Sequence, residues 1–62
     1  MVGFKTNNSI YLVDSEHKKI SGGIFAEKIK NFEKATIIVG YPAEILLTDG
    51  NIVRTSTVRN YL

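Results

Sequence analysis

AEILLTDGNIVRTSTV (residues 43–58) places two apolar, partly alternating runs on either side of the pair Asp49-Gly50. Alternation with a period of two is the pattern of a half-buried strand, and Asp-Gly between two such runs predicts a β-hairpin. Asp-Gly supplies the positive φ that a two-residue type I′ turn requires; Gly50-Asn51 would serve the same end in a longer loop. The tail of the stretch, Arg54-Thr55-Ser56-Thr57-Val58-Arg59, needs its own account. Thr55 and Thr57 suit a strand. Ser56 suits the cap of one 3₁₀ turn after the hairpin, because its hydroxyl can satisfy a freed N–H. Val58 and Tyr61, three apart, would then fold back as a lid. Arg54 and Arg59 have no structural task in this scheme and are candidate partner contacts.

Working outward, the remaining chain also breaks into short strands. Gly3-Phe4-Lys5-Thr6 is stopped by Asn7-Asn8, whose side chains compete for backbone hydrogen bonds and favour turns. SIYLVD (residues 9–14) is dense in residues that fit a pleated surface. A polar turn over residues 14–18 leads into Lys19-Ile20-Ser21, and Gly22-Gly23 suits a bulge or loop. TIIVGY (residues 36–41) predicts another strand, interrupted by Pro42, which has no N–H for a ladder and belongs at a strand edge or corner. IFAEKIKNFEK (residues 24–34) has two readings. Phe25, Ile29 and Phe32 recur at intervals of four and three, one face of a helix. Two glycines at the start and a length of about three turns weigh against a helix and leave a strand entering an irregular loop open.

Short strands separated by tight polar turns predict a mainly β fold: a small antiparallel barrel or curled sheet of about five strands, with room for one short helix within residues 24–34. Curling also removes unpaired edges. In architecture the chain resembles the SH3-like barrels, on its length, its single glycine-turn hairpin and its short closing segment ending in Tyr61. It has no tryptophan, and no run of acidic and aromatic residues that would make a proline-ligand groove.

Sixty-two residues make one domain, and a chain this short buries only about 60% of the surface its unfolded form exposes. Without cysteine, neither disulfide nor thiolate metal site can support it. Stability rests on the apolar residues, 44% of the chain, a share too large for a disordered segment. No apolar run approaches the ~20 residues of a membrane span. The expectation is a soluble cytoplasmic protein with no membrane partner. A net charge of +2 is too small to imply a nucleic-acid partner by itself.

Catalysis finds little to stand on. A nucleophilic Ser or Thr needs a base within reach, and the only histidine, His17, sits in a polar turn. Asp14 with Glu16, and Glu27 with Glu33, suit solvent-facing charges, while Asp49 is explained by its turn. Ser21-Gly22-Gly23 lacks the lysine and the spacing of a phosphate loop. The chain is therefore expected to be no enzyme, with no cofactor, no metal and no small-molecule substrate.

Two functions remain. The first is a protein-interaction or assembly module, its partner another protein or a second copy. The second is a weak single-stranded nucleic-acid-binding barrel with Lys18, Lys19, Lys28, Lys30 and Lys34 as contacts. Such barrels set aromatic platforms beside a positive groove, and Tyr11, Phe25, Phe32, Tyr41 and Tyr61 are interspersed among the basic residues. Glu16, Glu27 and Glu33 lie beside those lysines and blunt their field. Leu12, Ile37, Val39, Ile45, Leu47 and Val53 are the predicted core. Because IYLV and TIIV are apolar at nearly every position, one face of each strand needs a cover, which predicts a homodimer burying Tyr11 or Ile38 of each copy through a two-fold patch.

Overall fold

The computed structural model describes residues 2–62. Six antiparallel strands follow one another around a closed barrel: β1 (Val2–Thr6), β2 (Ile10–Asp14), β3 (Lys19–Gly22), β4 (Lys30–Thr36), β5 (Pro42–Leu47) and β6 (Ile52–Tyr61). Each strand pairs with the next, and β6 returns to β1. A mainly β barrel is thus what the alternation predicted, with one strand more than expected.

The hairpin of the opening stretch joins β5 to β6, with Leu46 opposite Ile52 and Ile45 opposite Val53. Its turn is the longer form. Gly50 donates to the Leu47 carbonyl at 3.1 Å, and Leu47 donates to the Asn51 carbonyl at 2.8 Å. Gly50 has a φ of 91°, whereas Asp49 stays at negative φ, so a type I turn closed by a left-handed glycine replaces the type I′ pair. The Asp49 carboxylate accepts from the Asn51 N–H at 3.0 Å.

The lid expected after the hairpin does not exist. β6 runs unbroken for ten residues and serves two neighbours, β5 with its first half and β1 with its second. Two bulges make this possible. Between Arg54 and Thr57 the strand carries one more residue than β5 opposite, and between Val58 and Asn60 one more than β1. An extra residue bends a strand and raises its twist, which is what closing six strands into a ring demands. Thr55 and Val58, three apart, therefore both point inward. At the first bulge the Ala43 N–H is met by the Thr55 hydroxyl at 3.1 Å, and that hydroxyl donates to the Ser56 carbonyl at 2.8 Å. This is the structural task of the Thr-Ser-Thr run, and it needs no 3₁₀ turn.

Residues 24–34 are not a helix. A single 3₁₀ turn, Gly23–Phe25, drops Phe25 into the barrel, and from Lys30 the chain is strand. Gly22 and Gly23 hold φ of 88° and 51°, which no right-handed helix accommodates, and Ala26 reverses the chain at φ 55°. A bulge at Glu33 lets Phe32 and Ala35 both face inward; of the three residues whose spacing suggested a helix, Phe25 comes from the 3₁₀ turn, Phe32 from β4, and Ile29 lies exposed in the loop between them.

The core is Phe4, Tyr11, Val13, Ile20, Phe25, Phe32, Ala43, Ile45, Leu47 and Val58. Four of the predicted members take part as expected: Ile45 and Leu47 are buried, and Val53 packs against the core half-buried. Ile37 also packs on the core from the side. Leu12 and Val39 do not belong, at 46% and 43% exposed. On β2 it is Tyr11 and Val13 that point inward, so Leu12 must face out. Val39 lies outside any strand: β4 stops at Thr36, and residues 37–41 form a loop tied by Tyr41 donating to the Ile38 carbonyl at 3.1 Å. The strand expected over residues 36–41 is thus displaced toward the N-terminus, because Gly40 and Pro42 together make the corner.

Tyr11 is the keystone of the packing. Its ring stacks on Phe4 at 4.8 Å and meets Phe25 edge-on at 6.2 Å, arrangements that aromatic quadrupoles favour. Its hydroxyl accepts from the Ile24 N–H at 3.1 Å, holding the 3₁₀ turn against β2.

Candidate functional site

Antiparallel order gathers the start of β1, the end of β2, the 37–41 loop and the end of β6 at one mouth of the barrel. This mouth is apolar and uncapped. Val2, Gly3, Phe4, Val13, Ile37, Tyr61 and Leu62 line a cleft of about 250 Å³ there. Three contacts knit it together. The Tyr61 hydroxyl donates to the Ile37 carbonyl at 2.9 Å, Leu62 donates to the Gly3 carbonyl at 3.0 Å, and Gly40 donates to the Val58 carbonyl at 2.9 Å. The first two tie the end of β6 to both walls, and the third lays the 37–41 loop along it. Val2, Tyr61 and Leu62 are each more than half exposed, and Ile38 and Val39, exposed on the loop, follow directly on the cleft-lining Ile37. Apolar side chains scattered singly on a surface are ordinary, but a joined group around a cleft marks a contact surface.

The residues singled out from the sequence fare unevenly. Ile38, at 51% exposed, is on this surface. Tyr11, at 1% exposed, is not on any surface, which corrects its assignment as a partner contact. β2 alternates, so its outward residues are Ile10 and Leu12, and the bulky aromatic went where a small barrel most needs volume. Arg54 and Arg59 are not brought together. Arg54 faces out beside β5, 3.3 Å from the Glu44 carboxylate, in an exposed ion pair worth ~0–1 kcal/mol. Arg59 is the extra residue of the bulge on the β1 side of β6 and has no ion pair among the described residues.

The lysines are spread over the seam between β3 and β4. Lys19 is opposite Asn31, Lys30 is opposite Ile20, and the Lys18 ammonium donates to the Glu33 carbonyl at 3.3 Å. Lys34 lies further along β4 in a shallow groove with Thr36, Glu44, Leu46 and Ile52. Lys28 lies in the loop before β4. The aromatic residues nearest them in sequence, Phe25 and Phe32, are buried.

Two carboxylates have shifted titration. Hydrogen bonds from the His17 ring and the His17 N–H hold the Asp14 carboxyl below its ordinary value. The Asn51 N–H does the same for Asp49. Both sit in turns, and each bond closes its turn. Among the described residues no three His, Cys, Asp or Glu side chains converge as metal ligands would. No helix among those residues is long and apolar enough to cross a membrane.

Val2, Val39, Tyr61 and Leu62 were not singled out as contacts from the sequence. The available signal was Gly40-Tyr41-Pro42: read as a corner rather than the end of a strand, it turns TIIV into an exposed apolar loop. No protein-family model matches the chain, and no curated protein or solved structure is significantly similar to it.

Proposed function

We propose that this protein is a non-enzymatic interaction module that docks onto another protein through the apolar mouth of its barrel. The carrying observation is an open cleft lined by apolar side chains, Val2, Ile37, Tyr61 and Leu62 among them, with Ile38 and Val39 exposed on the loop next to Ile37. Its volume is below the ~300 Å³ at which small-molecule pockets begin, which favours a side chain over a substrate or cofactor as its occupant. The return of the last strand to the first supports an SH3-like reading of the architecture, with the mouth in place of the lateral groove such barrels use for proline ligands.

A single-stranded nucleic-acid partner draws less support. Stacking platforms must be exposed beside the positive groove; Tyr11, Phe25 and Phe32 are in the core, and the two exposed aromatics, Tyr41 and Tyr61, lie on the 37–41 loop and at the end of β6, outside the β3–β4 seam that carries most of the lysines.

Site-specific photocrosslinking in cells tests the docking. With Ile38→p-benzoylphenylalanine, discrete protein adducts are expected; with the same residue at Lys28, in the loop before β4, they are not. Equal labelling from both positions, or none from position 38, would overturn the proposal.

A further inference from the structure

The mouth carries both halves of a contact. The cleft between Tyr61, Ile37 and Val2 is one half. The other is the adjacent loop, which holds Ile38 and Val39 out beside it. The Gly40 N–H bond to the Val58 carbonyl at 2.9 Å holds this loop along β6, so Ile38 and Val39 are presented, 51% and 43% exposed, from a fixed position. A surface that holds a knob next to a hole is complementary to itself under a two-fold axis, because each copy can supply the knob that fills the other's hole.

Charge agrees with that occupant. A two-fold contact sets the same patch against itself, residue i of one copy meeting j of the other and j meeting i, so a lining with charges of one sign would repel. None of the cleft-lining residues carries a charged side chain, and the whole chain carries only +2. The area also fits. From their exposed fractions, Val2, Ile38, Val39, Tyr61 and Leu62 offer roughly 500 Å² per copy, or about 1,000 Å² in a pair, at the low end of specific interfaces. A dimer of that size is weak and exchanges quickly.

We infer that the occupant of the mouth is a second copy of this chain, paired mouth to mouth, with Ile38 and Val39 of each copy seated in the cleft of the other. This rests on the docking proposed above and names its partner. It replaces the dimer predicted through Tyr11 and keeps Ile38 at its centre.

Sedimentation equilibrium from about 10 μM to about 1 mM covers the range expected of so small an interface. The parent should pass from monomer toward dimer. Ile38→Glu should weaken association by about tenfold or more, and should keep the parent's circular dichroism and melting temperature at low concentration, since Ile38 is outside the core. Should that variant fail to fold, Val39→Ser gives the same comparison. A spin label on Arg59→Cys, mixed with isotope-labelled parent, should broaden the amide signals of Val2, Ile38 and Val39 across the interface. A parent that stays monomeric at about 1 mM overturns the inference, as does broadening centred on Leu46 and Ile52. Adducts to a different protein from position 38, with a monomeric parent, would overturn the second copy and leave the docking intact. Absence of both would end both.

Discussion

Removing the Tyr11 side chain tests the packing at its most loaded point. Tyr11→Ala deletes a ring that is 1% exposed, together with its stack on Phe4 and its edge contact to Phe25. Truncation of a buried aromatic costs about 3–5 kcal/mol, the cavity included. A domain of this length has a total stability of only about 3–9 kcal/mol, so the variant should be largely unfolded or sit close to its midpoint without denaturant. Tyr11→Phe separates the ring from the hydroxyl. It keeps the stacking and leaves only the Ile24 N–H without its acceptor, which should cost about 1 kcal/mol. Urea titrations followed by circular dichroism measure both. The slope should be the same for Tyr11→Phe and the parent, because the surface exposed on unfolding is the same, while the midpoint falls. The reasoning fails if Tyr11→Ala melts within about 1 kcal/mol of the parent, for then the ring would not be the centre of the core. A Tyr11→Phe variant as unstable as Tyr11→Ala would also refute it, by showing that the hydroxyl and not the ring holds the fold.

Other substitutions probe the remaining links. Leu47→Ala should cost about 2–5 kcal/mol and Leu46→Ala about 1 kcal/mol or less in the same titration, because β5 turns Leu47 inward and Leu46 toward the outer groove; the reverse order would mean a register slip. Gly50→Val should cost about 1–2 kcal/mol by thermal melting, since its φ is positive but the space around it is open. Gly23→Ala should be worse than that, because a Cβ there would begin 2.0 Å from the Tyr11 ring. Thr55→Val should cost about 1–3 kcal/mol by leaving the Ala43 N–H unmatched at the bulge. Asp14 titrates lower when folded than unfolded, so its stabilising effect is present above the unfolded value near ~3.9 and is lost as pH falls through the lowered folded value. Asp14→Asn should therefore lower the melting temperature slightly at neutral pH and converge with the parent as pH falls through the acid limb, as scanning calorimetry would register.

The hairpin, the strand content and the polar turns were determined by the sequence itself, because each rests on local rules. Alternation around Asp49-Gly50 sets the pairing of β5 and β6, a dense β-branched and aromatic run makes β2, and Asn7-Asn8 ends β1. Three things were decided only by closure of the ring. A bulge shifts the inward face by one residue, so Phe32 with Ala35, and Thr55 with Val58, enter the core at a spacing of three that imitates a helix or a turn. Which face of β2 points inward depended on where the barrel needed its largest ring, and Tyr11 rather than Leu12 filled that volume. The mouth, finally, draws Val2, Ile37 and Tyr61 from distant parts of the chain. Their meeting follows from β6 pairing back onto β1, a contact between the two ends of the sequence that no local pattern records.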